Sequence, residues 1–508
     1  MKKLMIIALC AALIFGAISG CAKEPDKKGT DAQPGGDTPV AGEHTALYDQ
    51  VMSRFNGQLE TGAVIKVLEN DTAVELGYVD HLIAAFNEKY KDQGISAERM
   101  NVDQYSDLAT DGPYGYGPDV WYQANDILMK YADNQHLLPL PILDMECYSK
   151  IPQSAWNAYA KDLNGETFYC GVPLNVQSGM LYYIESSLPE NWKTDWDVNS
   201  NGVPDFFETY TALYAYSELC KQGGQPTQYG YLDETVDTYF MSGYLMTFGA
   251  YIFGDNGRDA SDIGLNKGDA VKGARMIRQW AGEMNNTEVL DTAFSSAAYQ
   301  YLADRVMLCT VTTPDVYRMF IRSMVYTGNW TKEEAEADLK VITVPRLPVS
   351  GDLSADKWED TVTNMDTLTT ETYMMGGING YGISAYTECP NASLAFVEFA
   401  TSYEESVERN KYLGVAPARS DAAETIAATD PVVGILFDRL DRGVINIMPA
   451  ITEIGQIWTP AGSFLVDIST DPYREARGEE LMFATDADIQ AGLDRLVGQI
   501  HDAIQTLS

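Results

Sequence analysis

Residues 63–90 read AVIKVLENDTAVELGYVDHLIAAFNEKY, and the order of patterns in this stretch decides the fold class. Residues 63–68 are a short β-branched run, which predicts a strand, whereas residues 79–90 space their apolar side chains as a helix does. The alternation continues outward. Residues 95–102 predict the next strand, residues 119–122 (DVWY) a strand end, and Ile127, Leu128 and Tyr131 lie on the helix that follows. Strand–helix alternation of this kind predicts α/β units over a largely parallel sheet. Further helices are predicted at 207–222, 270–284, 392–403 and 486–506, and strands at 179–184, 306–312, 339–344 and 381–384. The polar, Thr-rich stretch 351–372 predicts a surface insertion.

The chain has 508 residues, long enough for two to four domains at roughly 150 residues each. It carries 73 acidic against 35 basic residues, a formal net charge of −38, which excludes the clustered basic surface that nucleic-acid binding requires. Aromatics make up 11% of the chain, 31 of them Tyr, a surplus that suits sugar stacking and core packing equally. At the start, Lys2 and Lys3 precede an apolar run to Ile18 and then Ser19-Gly20-Cys21. This predicts a secretory signal over 1–20, since the run is too short to span a membrane. The small residues before Cys21 resemble a bacterial lipobox, which implies lipidation of Cys21 and attachment to the outer face of the cell membrane. Residues 21–46, rich in Pro, Gly and charge, predict a flexible tether. Cys147, Cys170, Cys220, Cys309 and Cys389 are odd in number and irregularly spaced, so no disulfide framework is evident.

Five later segments carry a family likeness. Gly117-Pro118-Asp119-Val120-Trp121 with Asp126; Tyr169 to Pro173 with Gln177; Thr238-Tyr239-Phe240 before Gly249-Ala250-Tyr251; Gly382 to Ala385 with Asn391; and Met448-Pro449 with Trp458 stand in one order along the chain. In that order they resemble the extracellular solute-binding proteins of the maltose-binding type. The resemblance implies a two-lobed periplasmic-binding-protein-like (type II) α/β fold with a central ligand cleft. It places the first lobe at 47–177 plus 385–446 and the second at 178–384 plus 447–508.

The resemblance also implies the ligand and its contacts. A sugar presents directional hydroxyls and C–H faces, so a site pairs planar polar groups with aromatic platforms. The matching positions are Glu69, Asn70 and Asp71 after the first strand, Asn125 and Asp126 after the Gly-Pro-Asp motif, Gln177 at the first crossing, and Tyr239, Phe240 and Trp458 for stacking. Each has a plainer alternative as a turn, a helix cap or core packing. Two platforms depart from the family pattern: Gln123 stands where a Trp is expected, with Trp121 close by, and Asp315 where an aromatic is expected, with Tyr317 two residues on. The implied role is a monomeric, lipid-anchored receptor that binds an oligosaccharide, malto-oligosaccharide first, for ABC permease subunits driven by a separate ATPase.

A separate signal lies at Asp197, Asn199, Asn201, Asp205 and Glu208, with Gly202 between them. Oxygen side chains at positions 1, 3, 5, 9 and 12, with Gly at 6 and the Val203 carbonyl at 7, match the spacing of an EF-hand calcium loop. The alternative is an Asx-rich turn without metal. Four scattered His residues and no HExxH, GxSxG or P-loop leave enzyme classes without a motif. A glycoside hydrolase built on two carboxylates, and an adhesin for insoluble polysaccharide, stay open as alternatives.

Overall fold

The structure, a computed structural model, describes residues 44–506; the predicted signal, Cys21 and nearly all of the tether lie outside them. Thr45 caps the first described helix, Ala46–Val51, by accepting from the Tyr48 N–H at 3.0 Å. No helix among the described residues is long and apolar enough to cross a membrane.

Eleven strands form the two main sheets: β1 Val64–Leu68, β2 Ser96–Arg99, β3 Val120–Ala124, β4 Val172–Ser178, β5 Met180–Ile184, β6 Tyr229–Tyr231, β7 Met307–Thr312, β8 Leu339–Ile342, β9 Met374–Ile383, β10 Ala416–Pro417 and β11 Ile445–Ile447. The first sheet runs β10-β4-β9-β3-β1-β2, with β11 pairing the opening of β9. Only the β1, β2, β3 group and the β9–β11 pair are parallel; β9 runs antiparallel to both β3 and β4. The predicted largely parallel sheet is therefore corrected to a mixed one. Its spine is a strand of which the sequence reading reached only the last residues. The run MMGGING hides β9, because Gly offers neither β-branching nor alternation. The second sheet runs β8-β5-β7-β6.

Each sheet has its own core. Ile65, Val67, Trp121, Val172 and Ile383 belong to one, Leu181, Leu213, Ile277, Leu308 and Ile468 to the other. The helices cover these sheets close to the predicted positions, Tyr78–Tyr90, Ala270–Met284 and Asp486–Gln505 among them. Trp458–Arg477 is a helix that the sequence reading did not draw. Residues 351–372, read as a surface insertion, hold the short helix Trp358–Thr363 and the buried Leu353 and Val362. All five described cysteines are free and buried. Burial pushes the Cys147 and Cys170 thiols up to about 12, where they stay protonated and unreactive.

The two cores are joined where β4 passes into β5 and where β9 begins. Val176 packs in the first core and Met180 in the second, with only Gln177, Ser178 and Gly179 between them. Met374 and Met375 lie in the second core, whereas Ile378 and Tyr381 lie in the first. By sheet membership β9 thus belongs with the first lobe, one strand earlier than the boundary at 384/385 had it. In return the helices Ser420–Ala427 and Pro431–Asp441, assigned to the first lobe, bury Ile426, Val433 and Leu436 in the second core.

The crossings touch. The Ser178 hydroxyl donates to the Met375 carbonyl at 3.1 Å, and the buried Arg439 guanidinium donates to the Gly179 carbonyl at 2.8 Å and the Thr372 carbonyl at 3.4 Å. Gly376 is required by this approach: a Cβ there would sit 2.8 Å from the Gln177 carbonyl and 2.2 Å from Ile445. Gly376→Ala is expected to cost about 1–3 kcal/mol in chemical denaturation, the usual range for overpacking. Gly455→Ala, where a Cβ meets nothing within 4 Å, serves as the neutral control; equal stability of the two variants would contradict this account of the seam.

Candidate functional site

The chain places polar side chains at the ends of strands from both sheets, where backbone groups are free and side chains can converge. Asp126 is the second residue of the helix Asn125–Asp133, directly after β3. Asp315 follows β7, Gln177 lies near the end of β4, and Tyr239 opens the helix Thr238–Met246. One oxygen of Asp126, one oxygen of Asp315 and the Tyr239 hydroxyl are each buried without a hydrogen-bond partner. The charges of Asp315 and Asp126 both act on Tyr239, so these groups, which come from elements of both sheets, lie near one another. Leaving such groups unpaired is costly until a hydrogen-bonding partner reaches them.

Electrostatics follow from this burial. Burial pushes the Asp126 carboxyl up to about 6. Burial also raises Asp315, countered by hydrogen bonds from Thr313 and Gln177 and by the charge of Arg409. Tyr105, on the loop after β2, was not foreseen: its side chain is 64% exposed, yet it feels Asp315, Asp126 and Asp71. Trp121 Nε1 and Gln123 Nε2 both donate to the Gln104 carbonyl, at 3.1 and 2.6 Å, and so fix the loop that presents this ring. Gln123, read as a lost platform, holds the backbone of the residue before Tyr105.

Several predicted contacts sit elsewhere. Trp121 is 1% exposed and packs on Tyr131 at 5.1 Å, since β3 is a central strand covered on both faces; it is a core residue. Glu69 is buried in an ion pair with Arg409 at 2.7 Å and accepts from the Tyr381 hydroxyl, while Arg409 stacks over Tyr122 at 4.3 Å. Asn70 caps the helix Asp71–Glu75 by accepting from Ala73 N–H at 2.7 Å. Asn125 is fully buried: its amide donates to the Met448 carbonyl at 3.0 Å and accepts from Ile378 N–H at 3.2 Å, so it ties the crossings together. Asp71 is exposed at the margin near Tyr105. Phe240 is half-buried, edge-on to Tyr239 at 5.5 Å. Tyr317 lies beneath Arg318, and the half-buried Trp458 opens its helix against the second core.

The lobes also touch directly. Arg322 pairs with Glu75 at 2.5 Å and Arg318 donates to the Lys411 carbonyl at 3.1 Å, bordering a cavity of about 1040 Å³ lined by Tyr299, Tyr326 and Tyr412. Thr452 donates twice to Asp133, at 3.1 and 2.7 Å.

A family model described as bacterial extracellular solute-binding protein matches residues 81–432. The maltodextrin-binding protein MdxE of Bacillus subtilis is 23% identical over 404 residues, covering 77% of this chain and 82% of that one. A maltooligosaccharide ABC transporter solute-binding lipoprotein of Streptococcus pneumoniae is 22% identical over 422 residues, 79% of this chain and 84% of that one. The crystal structure of MalX from Streptococcus pneumoniae with maltopentaose superposes with a TM-score of 0.65 at 18% identity, covering 87% of this chain and all of the other. The likeness identifies the two-lobed type II solute-binding fold.

The raised Asp126 carboxyl makes stability depend on pH. The folded chain holds this proton more tightly than the unfolded one, whose carboxyl titrates near 3.9. The group's contribution is therefore fully present below about pH 4 and is lost as pH rises through about 6. Asp126→Asn is expected to be more stable than the parent at pH 7.5, by about 1–3 kcal/mol, with the gap closing at pH 4. Parallel pH profiles of parent and variant in thermal denaturation would contradict the assignment.

Proposed function

This chain belongs to the bacterial extracellular solute-binding proteins, which bind solutes rather than transform them, and from that premise we propose that it is the oligosaccharide receptor of a carbohydrate ABC importer. The observation that carries the reading is the set of orphaned polar atoms on Asp126, Asp315 and Tyr239, contributed by elements of both lobes whose charges act on one another. Sugar hydroxyls donate to the two carboxylates and accept from the phenol, and the exposed face of Tyr105 offers C–H stacking. Gln177, Asp71, Phe240, Trp458 and Tyr317 form the surrounding wall in this reading. A ligand that satisfies both lobes at once favours the closed arrangement by the contacts it gains only there. The closed receptor docks on permease subunits, and a separate ATPase supplies the energy for transport.

Malto-oligosaccharide is the favoured solute, supported by what the relatives' names say they bind. The lipobox-like residues before Cys21, together with a relative named as a lipoprotein, support a lipid anchor on the outer face of the cell membrane. Mass spectrometry of the purified membrane form tests the anchor by finding a diacylated N-terminal Cys21.

Calorimetry with maltotetraose is expected to give one saturable site per chain. Asp126→Asn and Tyr105→Ala should each weaken it by about 1–3 kcal/mol, the range for a buried charged hydrogen bond or a stacked ring. Binding to the parent should also weaken as pH falls below about 6, where Asp126 takes up a proton and loses acceptor capacity. Failure to retain any malto- or galacto-oligosaccharide would overturn the reading, and new reducing ends during incubation would move the protein to the hydrolases.

A further inference from the structure

We propose that the loop 197–208 of the second lobe is a calcium site, separate from the candidate solute site. Its backbone already has the required wrap. The Gly202 N–H donates to both Asp197 carboxylate oxygens at 3.3 Å, the Val203 N–H to Asn201 Oδ1 at 2.8 Å, and the Asn201 N–H to Asn199 Oδ1 at 3.1 Å. Glu208 closes the ring from the opposite side, accepting from the amides of Asn199 at 2.8 Å and Asn201 at 2.6 Å. Positions 3, 5 and 12 of the loop thus face one another.

Asp205 is the observation that asks for a ligand. It is completely buried, and one carboxylate oxygen accepts the Val198 N–H at 3.1 Å while the other has no partner. The carboxylates of Glu208 and Asp197 lie close enough for their charges to act on it. A buried carboxylate with an orphaned oxygen, flanked by two more carboxylates, is unfavourable until a cation enters. Among the described residues no three His, Cys, Asp or Glu side chains already form a metal cage. The Asn199 and Asn201 amides instead donate to the Glu208 carboxylate and draw the loop shut. Asn199 Oδ1 and Asn201 Oδ1 each keep a second lone pair beside the N–H they accept, so both can turn toward a cation once their amides release Glu208. With Asp197, Asp205, Glu208 and the Val203 carbonyl this gives an all-oxygen set of the size and flexibility that calcium accepts more readily than magnesium.

The placement gives such an ion a structural role. Asp205 N–H donates to the Trp196 carbonyl at 2.7 Å, and the Trp196 ring stacks on Trp358 at 4.4 Å. Arg346 N–H donates to the Glu208 carbonyl at 2.9 Å, and the hydroxyls of Thr209 and Thr361 meet at 3.0 Å. The loop is therefore the knot that fastens residues 196–210 to residues 346–361, and calcium would tighten it.

The test uses the mature chain stripped with chelator. Calcium chloride alone should bind once per chain by calorimetry and raise the melting temperature by several degrees, with magnesium weaker. Terbium should luminesce on excitation of Trp196 beside the loop and be displaced by calcium. Glu208→Gln and Asn201→Ala should each lower calcium affinity about tenfold or more while maltotetraose binding is kept. Absence of calcium heat, melting shift and terbium emission in the parent would overturn the proposal, whatever the variants do. A calcium response undiminished in both variants would overturn it as well, by locating the ion elsewhere.

Discussion

The structure depends on one close approach of backbone, where two chain crossings lie side by side between the sheets. Gly376 faces the Gln177 carbonyl and Ile445 at distances no side chain tolerates, and Ser178 bonds across to Met375. The carbonyls of Gly179 and Thr372 would otherwise be buried unsatisfied at the turn of each crossing; the guanidinium of Arg439 donates to both. Burial lowers the pKa of this Arg, yet it stays cationic, and its planar fork serves two carbonyls that no neutral side chain in the seam reaches. Asn125 extends the same seam to Met448.

That constraint decides where the binding groups sit. Because the crossings meet at the ends of β3, β4 and the start of β9, the residues just beyond those strands face the second lobe. Asp126 and Gln177 come from one side, Asp315 and Tyr239 from the other. The polar atoms left unpaired there are a cost carried by the free protein, one that the proposed oligosaccharide would relieve. Glu69 shows the opposite arrangement. Its partner Arg409, its Tyr381 hydroxyl and the rings of Tyr78 and Tyr122 satisfy it from within the lobe, so it stiffens the first sheet rather than serving a ligand.

Much of the architecture was legible because it is local. The strand of residues 63–68 and the helix of 79–90 appear where their spacing put them, as do the helices Ala270–Met284 and Asp486–Gln505. What escaped depends on partners far away in sequence. Glu69 reads as a polar residue after a strand, and nothing nearby announces an Arg 340 residues later. Trp121 lies in an apolar run whose two faces are both buried, so periodicity cannot say which way the ring turns. The glycines of β9 hide a strand because they are chosen for proximity to other backbones, not for β propensity. Tyr105 lies in a polar loop with no period at all, and only the anchoring of Gln104 by Trp121 and Gln123 explains its position.

Small-angle X-ray scattering of the mature chain with and without saturating maltotetraose tests the hinged receptor most directly. A jaw movement about the seam at residues 177–179 and 374–377 predicts a smaller radius of gyration with sugar and a scattering curve that shifts between two forms. Identical curves at concentrations where calorimetry shows the site filled would contradict closure as the mechanism.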